Sequence, residues 1–482
     1  MTTAVTVDRI EQARAAVDAA GQGHVLRFYD ELDDAGKASL LDQIESVDWP
    51  ELARLVQTHV LAKPEFELPT DVKPAPWYPY VPTAALSDKY ETARTLGEML
   101  IRDGKVAAFT VAGGQGTRLG WPGPKGTFPA TAIRKLPLFG LFAEYLQKVE
   151  RKYGRAVPWY LMTSPINDAD TKAFFKKQHH FGLDPANVMI FPQAMMPAFD
   201  MTTGKVLMED KATLALSPNG HGGSLKALWT SGAIADMQQR GVEQISYTQV
   251  DNPIVKVVDP LFIGLHAMDQ AQMSSKMLPK REPLEKLGNF CLVDGKMTVI
   301  EYSDLPDELA HERLSDGQLR FRAGSIALHA IRVDFVASLN KSGQFSLPLH
   351  RAEKKVPHLD LGSLQQVKPE KPNAVKLEMF VFDALPMCGK SIIYETDRIE
   401  EFAPIKNADK AGEIVPDSPA DSLRIQTLRN ARWLEQHKVA VPREGDAVNA
   451  VIEICPLTAI AASDLRPNDL PDAVQPGQRL LL

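Results

Sequence analysis

The segment that most constrains this chain is Thr110-Val-Ala-Gly-Gly-Gln-Gly-Thr-Arg-Leu-Gly-Trp-Pro-Gly-Pro-Lys125. The apolar run Val106–Val111 predicts a short buried strand, and that strand empties into Gly113, Gly114 and Gly116. Without Cβ atoms in the way, backbone N–H groups of such a loop can approach an anion closely. Arg118 and Lys125 add cationic donors to the same stretch. Pro122 and Pro124 keep the chain from entering a helix there, because proline lacks an N–H and clashes with the preceding turn. The loop reads as a phosphate cradle at a strand end.

Two familiar phosphate loops do not fit. A dinucleotide fingerprint needs G-x-G-x-x-G opening a helix; Gly114, Gly116 and Gly120 leave one residue too many in the second gap, and the prolines block the helix. The acidic ribose ligand expected about 20 residues on is replaced by Arg134-Lys-Leu-Pro137. A P-loop needs G-K-[ST], whereas the order here is Pro124-Lys125-Gly126. A plain glycine turn would not require two cations beside it.

Upstream, Ile10, Ala13, Val17 and Ala20 recur at helical spacing before Gly21 and Gly23, and Leu40, Leu41, Ile44 and Val47 repeat the pattern over 34–47. Pro64, Pro69, Pro74, Pro76, Pro79 and Pro82 then predict an extended connector, whose Trp77, Tyr78 and Tyr80 are expected to dock on a neighbour. Ser87 is expected to cap a helix with Tyr90, Ala93, Leu96 and Leu100 on one face. Beyond Lys105, the apolar runs Trp159–Met162, Val188–Phe191, Ile245–Val250 and Val255–Val258 predict strands, and 137–152, 168–181 and 224–240 predict helices between them. Alternation of this kind implies an α/β domain with a mainly parallel sheet, whose ligands bind beyond the carboxyl ends of the strands. Residues 273–331 are richer in strand signals; a helix is expected at 422–437 and a strand near 450–454.

Bulk properties narrow the partners. A net charge of −7 argues against a nucleic-acid surface. Cys291, Cys388 and Cys455 are odd in number and form no C-x-x-C pair, so neither a disulfide scaffold nor a zinc site is expected. Asp8, Arg9 and Glu11 interrupt any signal-peptide pattern, and no apolar stretch is long enough to span a bilayer. No membrane partner is expected, and a reducing cytoplasm is the expected location.

The motif G-G-x-G-T-R-L-G followed by P-K resembles the signature of the eukaryotic-type UDP-sugar pyrophosphorylases, which include the UDP-N-acetylglucosamine and UDP-glucose enzymes. Further segments follow in the family's order: Thr163-Ser164, His180-Phe-Gly182, Phe191-Pro-Gln193, Pro218-Asn-Gly-His-Gly-Gly223, Val250-Asp-Asn252, Glu301-Tyr-Ser303, Lys376–Asp383 and Ile405-Lys-Asn-Ala-Asp409. The resemblance runs from about residue 90 to 435. It implies a Rossmann-like nucleotidyltransferase domain in the glycosyltransferase-A style with a mixed sheet at 96–400, a helical N-terminal region with the proline-rich connector at 1–95, and a small C-terminal domain at 401–482. It implies a UTP:sugar-1-phosphate uridylyltransferase that forms UDP-sugar and pyrophosphate from UTP and a hexose 1-phosphate, N-acetylglucosamine 1-phosphate or glucose 1-phosphate.

The resemblance also assigns residues. Arg118, Lys125 and Lys376 become catalytic candidates. Ala112, Gly113, Gly114, Gly116, Thr117, Gln193, Gly222 and Lys406 become nucleotide contacts, with Gln193 on the uracil edge, where an amide offers both a donor and an acceptor. His221, Asn252, Glu301 and Tyr302 become sugar contacts. Asp251 becomes the ligand of Mg²⁺ (or Mn²⁺), an ion that takes one or two carboxylates together with phosphate oxygens.

The sugar motifs conflict. His221 stands where the N-acetylglucosamine type carries asparagine, and Gly324-Ser-Ile-Ala-Leu-His329 replaces both asparagines of its G-N-I-x-N-H segment with Ser325 and Leu328. The stretches 376–383, 406–409 and 191–197 resemble the N-acetylglucosamine type more closely. A broad-specificity UDP-sugar enzyme and a non-catalytic nucleotide-sugar-binding protein remain as alternatives.

Overall fold

The run Val106–Val111 is a strand, and in the computed structural model it lies inside a ten-stranded sheet, counted among the described residues 7–63, 71–341, 345 and 347–482. In chain order the strands are β1 (Val72–Pro74), β2 (Val106–Val111), β3 (Trp159–Thr163), β4 (Val188–Pro192), β5 (Gln244–Gln249), β6 (Met273–Pro279), β7 (Asn289–Val293), β8 (Lys296–Ile300), β9 (Ala323–Arg332) and β10 (Ile393–Glu395). Their order across the sheet is β1-β7-β9-β5-β2-β3-β4; β8 pairs with β7, and β6 pairs with β9 and β10. β5, β2, β3 and β4 run parallel, while β9 is antiparallel to β5. The expected α/β fold with a mixed sheet is the observed one.

This order places the glycine loop. From β2 the chain steps to β3 and β4 on one side, then returns to β5 on the other. The carboxyl end of β2 is thus a topological switch point, where adjacent loops diverge and leave a crevice. The sequence drives β2 into the centre because it is apolar on both faces; Val106, Ala107, Ala108 and Phe109 are fully buried. The helix Leu138–Tyr153 covers one face, packing Phe139 and Phe142 on Trp159.

The chain divides into two compact units. One comprises 1–67, 193–225 and 346–383; the other comprises 68–192, 226–345 and 384–482 and contains the ten-stranded sheet. In the first unit the N-terminal helices Val7–Ala19 and Asp34–Glu45 share a core with Phe199, Met208, Leu214, Val375 and Leu377. In the second, Trp433, Leu434, Ile452 and Ile454 form a separate C-terminal cluster. Glu453 joins that cluster to the loop after the glycines, accepting the Ile133 and Arg134 N–H groups and the Arg134 guanidinium.

Several local expectations change. Val255–Val258 is a buried irregular segment, not a strand; the Val257 carbonyl accepts Ser246 Oγ and the Val258 carbonyl accepts Tyr145 Oη, so side chains replace a ladder. The helix expected at 224–240 is two, Gly223–Thr230 and Ala233–Gln239, separated at Gly232, whose φ is +82°. Ser87 caps nothing: a 3₁₀ turn, Ala84–Leu86, leads into the helix Ser87–Arg102, and the Ser87 hydroxyl donates to the Thr83 carbonyl. The helix from Asp168 ends at Lys177, after which His179, His180 and Phe181 adopt φ values of 48–54°.

Pro64 and Pro69 lie outside the described residues. Downstream, the connector docks as expected: Trp77 Nε1 donates to Glu395, Tyr78 Oη to Asp269, and Val72–Pro74 pairs along β7. No helix among the described residues is long and apolar enough to cross a membrane.

Candidate active site

The glycine loop is held from behind by its carbonyl groups. Ser164 Oγ donates to the Gly113 carbonyl at 3.0 Å. The Asn167 amide donates to the Ala112 and Gly114 carbonyls at 3.1 and 3.2 Å. The Lys125 N–H also donates to Gly114 O, and the Gly116 N–H to Gly123 O, which folds the loop back on itself. Among the described residues, the N–H groups of Gly113, Gly114 and Gln115 have no protein acceptor. The carbonyls face the scaffold and the donors are left over, which is the polarity an anion requires.

The glycines are not equivalent. Gly120 and Gly123 need glycine for their φ values of +67° and +115°. Gly116 and Gly126 need it for space, since a Cβ would lie 2.7 Å from Trp121 and 2.1 Å from the Phe139 ring. Gly114 has neither reason: a Cβ there would meet no protein atom within 4 Å. Arg118 is exposed, Lys125 is half-buried, and neither forms an ion pair among the described residues.

Asp251 follows β5, one strand away from the glycine loop. Its carbonyl accepts the Ile405 N–H at 2.8 Å, which brings Lys406 beside it in the chain. Lys406 also lies 5.7 Å from the Phe402 ring centre. Burial pushes the nearby Asp417 carboxyl up; Lys406 pulls it down, and the charges of Asp251 and Asp421 push it up again. Asp251 thus lies in a mixed field of carboxylates and a lysine. Among the described residues no group of three or more His, Cys, Asp or Glu could cage a metal. One partly exposed carboxylate does not suit zinc, but it suits Mg²⁺, which keeps waters and shares phosphate oxygens.

Asn252, the next residue, is held inside the protein. It is 3% exposed; its amide donates to the Glu401 carbonyl at 2.6 Å and accepts the Ala403 N–H at 3.0 Å. Both ends of the side chain are engaged inside the protein. Glu301 stands near Gly288 and Ser325: the Ser325 N–H donates to Gly288 O, and a Cβ on Gly288 would lie 3.0 Å from Glu301 Oε1. Tyr302 is 43% exposed. Leu328 is buried in the main core cluster, and Ala327 before it has φ +55° at a bulge of β9.

The first unit carries the remaining candidates. Gln193 is 6% exposed, and its Oε1 is buried without a protein donor among the described residues. The loop Asn219–Gly223 lies against the strand Ala374–Met379: Met379 N–H donates to Asn219 O, and Gly222 N–H donates to Met379 O. A Cβ on Gly222 would be 2.7 Å from the Met379 and Phe380 backbone, so close packing explains that glycine, and its N–H is already bonded. His221 Nδ1 accepts the Val381 N–H at 3.1 Å, and its ring stacks on Phe380. Burial, helped by His350, lowers its pKa to about 4, so the imidazole is neutral at physiological pH. Lys376, half-buried on the same strand, has no ion pair among the described residues; burial lowers its pKa, with Glu378 opposing and Lys354 assisting.

Asn167 and Glu401 were missed by sequence reasoning. Ser164-Pro-Ile-Asn167 directly after a strand carries the signal of a side chain folding back on its own turn, since Asn167 Oδ1 accepts the Ser164 N–H. Glu401 carries no such local signal.

The family described as UTP–glucose-1-phosphate uridylyltransferase matches residues 67–431. The chain is 36% identical to human UDP-N-acetylhexosamine pyrophosphorylase-like protein 1, over 94% of each chain. It is 33% identical to the UDP-N-acetylglucosamine pyrophosphorylase of Saccharomyces cerevisiae, over 86% of this chain and 89% of that one. Among solved structures it is similar to the UDP-N-acetylglucosamine pyrophosphorylase of Trypanosoma brucei in complex with an inhibitor, with TM-score 0.81, 25% identity and 98% coverage of both chains.

Proposed function

The chain belongs to the UDP-sugar pyrophosphorylases, the UTP–glucose-1-phosphate uridylyltransferase family, and on that premise we propose that its sugar substrate is an N-acetylhexosamine 1-phosphate. It is a UTP:sugar-1-phosphate uridylyltransferase. A phosphate oxygen of the sugar 1-phosphate attacks the α-phosphorus of UTP, the bond from that phosphorus to the β-phosphate bridge breaks, and pyrophosphate leaves. Both reactants are anions, so mutual repulsion is the first barrier, and positioning with electrostatic stabilisation suffices without a nucleophilic side chain.

The observation that carries the site assignment is the set of N–H groups on Gly113, Gly114 and Gln115 that have no acceptor among the described residues, beside Arg118 and Lys125. These groups bind and orient the triphosphate, and Lys125 stabilises charge that accumulates as pyrophosphate departs. Asp251 would hold Mg²⁺, which when bound neutralises phosphate charge. Gln193, whose buried oxygen has no donor among the described residues, suits the uracil N–H. Lys376, Lys406, Glu301 and Tyr302 keep the contacts implied by the family motifs. Three free thiols are in keeping with a reducing, cytoplasmic setting.

The relatives named above support the N-acetylhexosamine reading. A second reading, a broader UDP-sugar specificity, is favoured by one observation: Leu328 is a core residue and offers a sugar no polar group. Pyrophosphate release from UTP and Mg²⁺ is measured with the 1-phosphates of N-acetylglucosamine, N-acetylgalactosamine, glucose and galactose. Preference for the N-acetylated sugars supports the first reading, and comparable rates with all four replace it with the second. In a folded Lys125→Ala protein turnover falls by about 10²-fold or more; near-normal turnover removes Lys125 from the site.

A further inference from the structure

A buried charge cluster lies behind the Asp251 loop. Lys276, in β6, is 2% exposed, and its ammonium donates to Asp259 Oδ2 at 2.7 Å and to both oxygens of Glu401, one of them at 2.7 Å. All three ammonium protons therefore have carboxylate acceptors. Glu401 is fully buried and also accepts the Thr396 hydroxyl at 2.7 Å. Burial works against the charged form of Asp259, but Lys276 and Lys256 overcome it and hold the carboxyl well below its ordinary value.

What the cluster holds is more telling than its charge. The Glu401 carbonyl accepts the Asn252 amide, and its carboxylate accepts the Lys256 N–H. Asn252 Oδ1 accepts the Ala403 N–H, and Asp251 O accepts the Ile405 N–H. Asp259, through its other oxygen, caps the helix Pro260–Met268. That helix is pinned in turn, because Gly97 and Gly264 let it cross the helix Ser87–Arg102 at backbone contact. The 251–256 loop and the 401–406 turn are therefore laced to each other and to one fixed ion cluster. An apolar cluster of the same volume would serve stability as well, so the charges call for another explanation.

We propose that Asn252, Glu401 and Lys276 are positioning residues for the uridylyl transfer, setting where the Asp251 carboxylate and the Lys406 ammonium stand. Asn252 is the link, Glu401 the anchor and Lys276 the counterion. None of the three touches substrate; they act through Asp251 and Lys406. The inference rests on the assignment of Asp251 to the divalent cation.

The test is a double-mutant cycle on the full-length protein with Asn252→Ala, Asp251→Asn and the pair. Asn252→Ala cuts the link and leaves the ion cluster whole, so it avoids the folding defect that Lys276→Met would risk. Mn²⁺ binding in the presence of UTP is followed by water-proton relaxation, alongside thermal melting and initial rates against Mg²⁺. Asn252→Ala is expected to weaken Mn²⁺ binding about 10–100-fold and to lower kcat, with KM for the sugar 1-phosphate nearly unchanged. In the Asp251→Asn background it should add no further loss of Mn²⁺ binding. Equal losses in both backgrounds, or unchanged Mn²⁺ binding in Asn252→Ala, overturn the positioning role alone. Unchanged Mn²⁺ binding in Asp251→Asn overturns the assignment of Asp251 and, with it, this inference.

Discussion

Asn167 donates its side-chain amide to the carbonyl of Gly114 at 3.2 Å, across an interval of 53 residues. The bond turns the Gly114 carbonyl towards the scaffold and so leaves the N–H of the same peptide unit, that of Gln115, facing away. Asn167 is fully buried, so the amide has no water to fall back on. Asn167→Ala should therefore leave the buried Ala112 carbonyl without its donor, at about 1–3 kcal/mol in stability, while Gly114 O keeps the Lys125 N–H. It should also raise KM for UTP about tenfold by loosening the loop. Steady-state kinetics against UTP, with urea unfolding of the same protein, measures both; an unchanged KM would show that the loop holds its shape without Asn167.

Gly114 and Gly126 offer a paired test of what glycine does in this loop. A methyl at Gly126 runs into the Phe139 ring, so Gly126→Ala should destabilise the protein by about 1–3 kcal/mol, as overpacking does. A methyl at Gly114 meets nothing, so Gly114→Ala should melt within a degree or two of the parent yet bind UTP more weakly. Calorimetric titration with UTP decides it: normal affinity in Gly114→Ala would remove the phosphates from this position.

Lys376 should show opposite effects on stability and activity. Burial, with no paired carboxylate among the described residues, lowers its pKa, so the unfolded chain holds the proton more tightly than the folded one. Stability then rises with pH through the window just below the ordinary lysine value, and at neutral pH the charge opposes folding. Lys376→Met is expected to raise Tm at pH 7 while lowering kcat at least tenfold. A fall in Tm would mean that the ammonium has a stabilising partner in solution.

The pH dependence of stability should carry the signature of His221. Its folded pKa of about 4 lies below the ordinary value near 6.5, so the unfolded state binds the extra proton first. The stability linked to this residue is fully present above about pH 6.5 and is lost as pH falls through about 4. His221→Asn keeps an acceptor for the Val381 N–H and removes the titration. Its melting temperature should fall less steeply than the parent's between those pH values. Parallel curves for the two proteins would place the titration elsewhere, for instance at buried His266, whose pKa burial lowers to about 3.

By itself the sequence determined what is local or periodic. The glycine loop after β2, the parallel strands alternating with helices and the acidic end of β5 were legible, because backbone conformation and burial pattern follow from near neighbours in the chain. The ordered series of motifs added the reaction class. Tertiary structure decided what depends on distant partners. An apolar run such as Val255–Val258 reads alike as strand or buried loop until Ser246 and Tyr145 are seen to take its carbonyls. Asn252 follows the metal-ligand candidate Asp251 in sequence, but its partners lie about 150 residues on, and they make it a brace. Residues within 7–63 share a core with residues of 193–225 and 347–383, a grouping no linear pattern displays, because side-chain packing joins whatever surfaces the sheet order brings together.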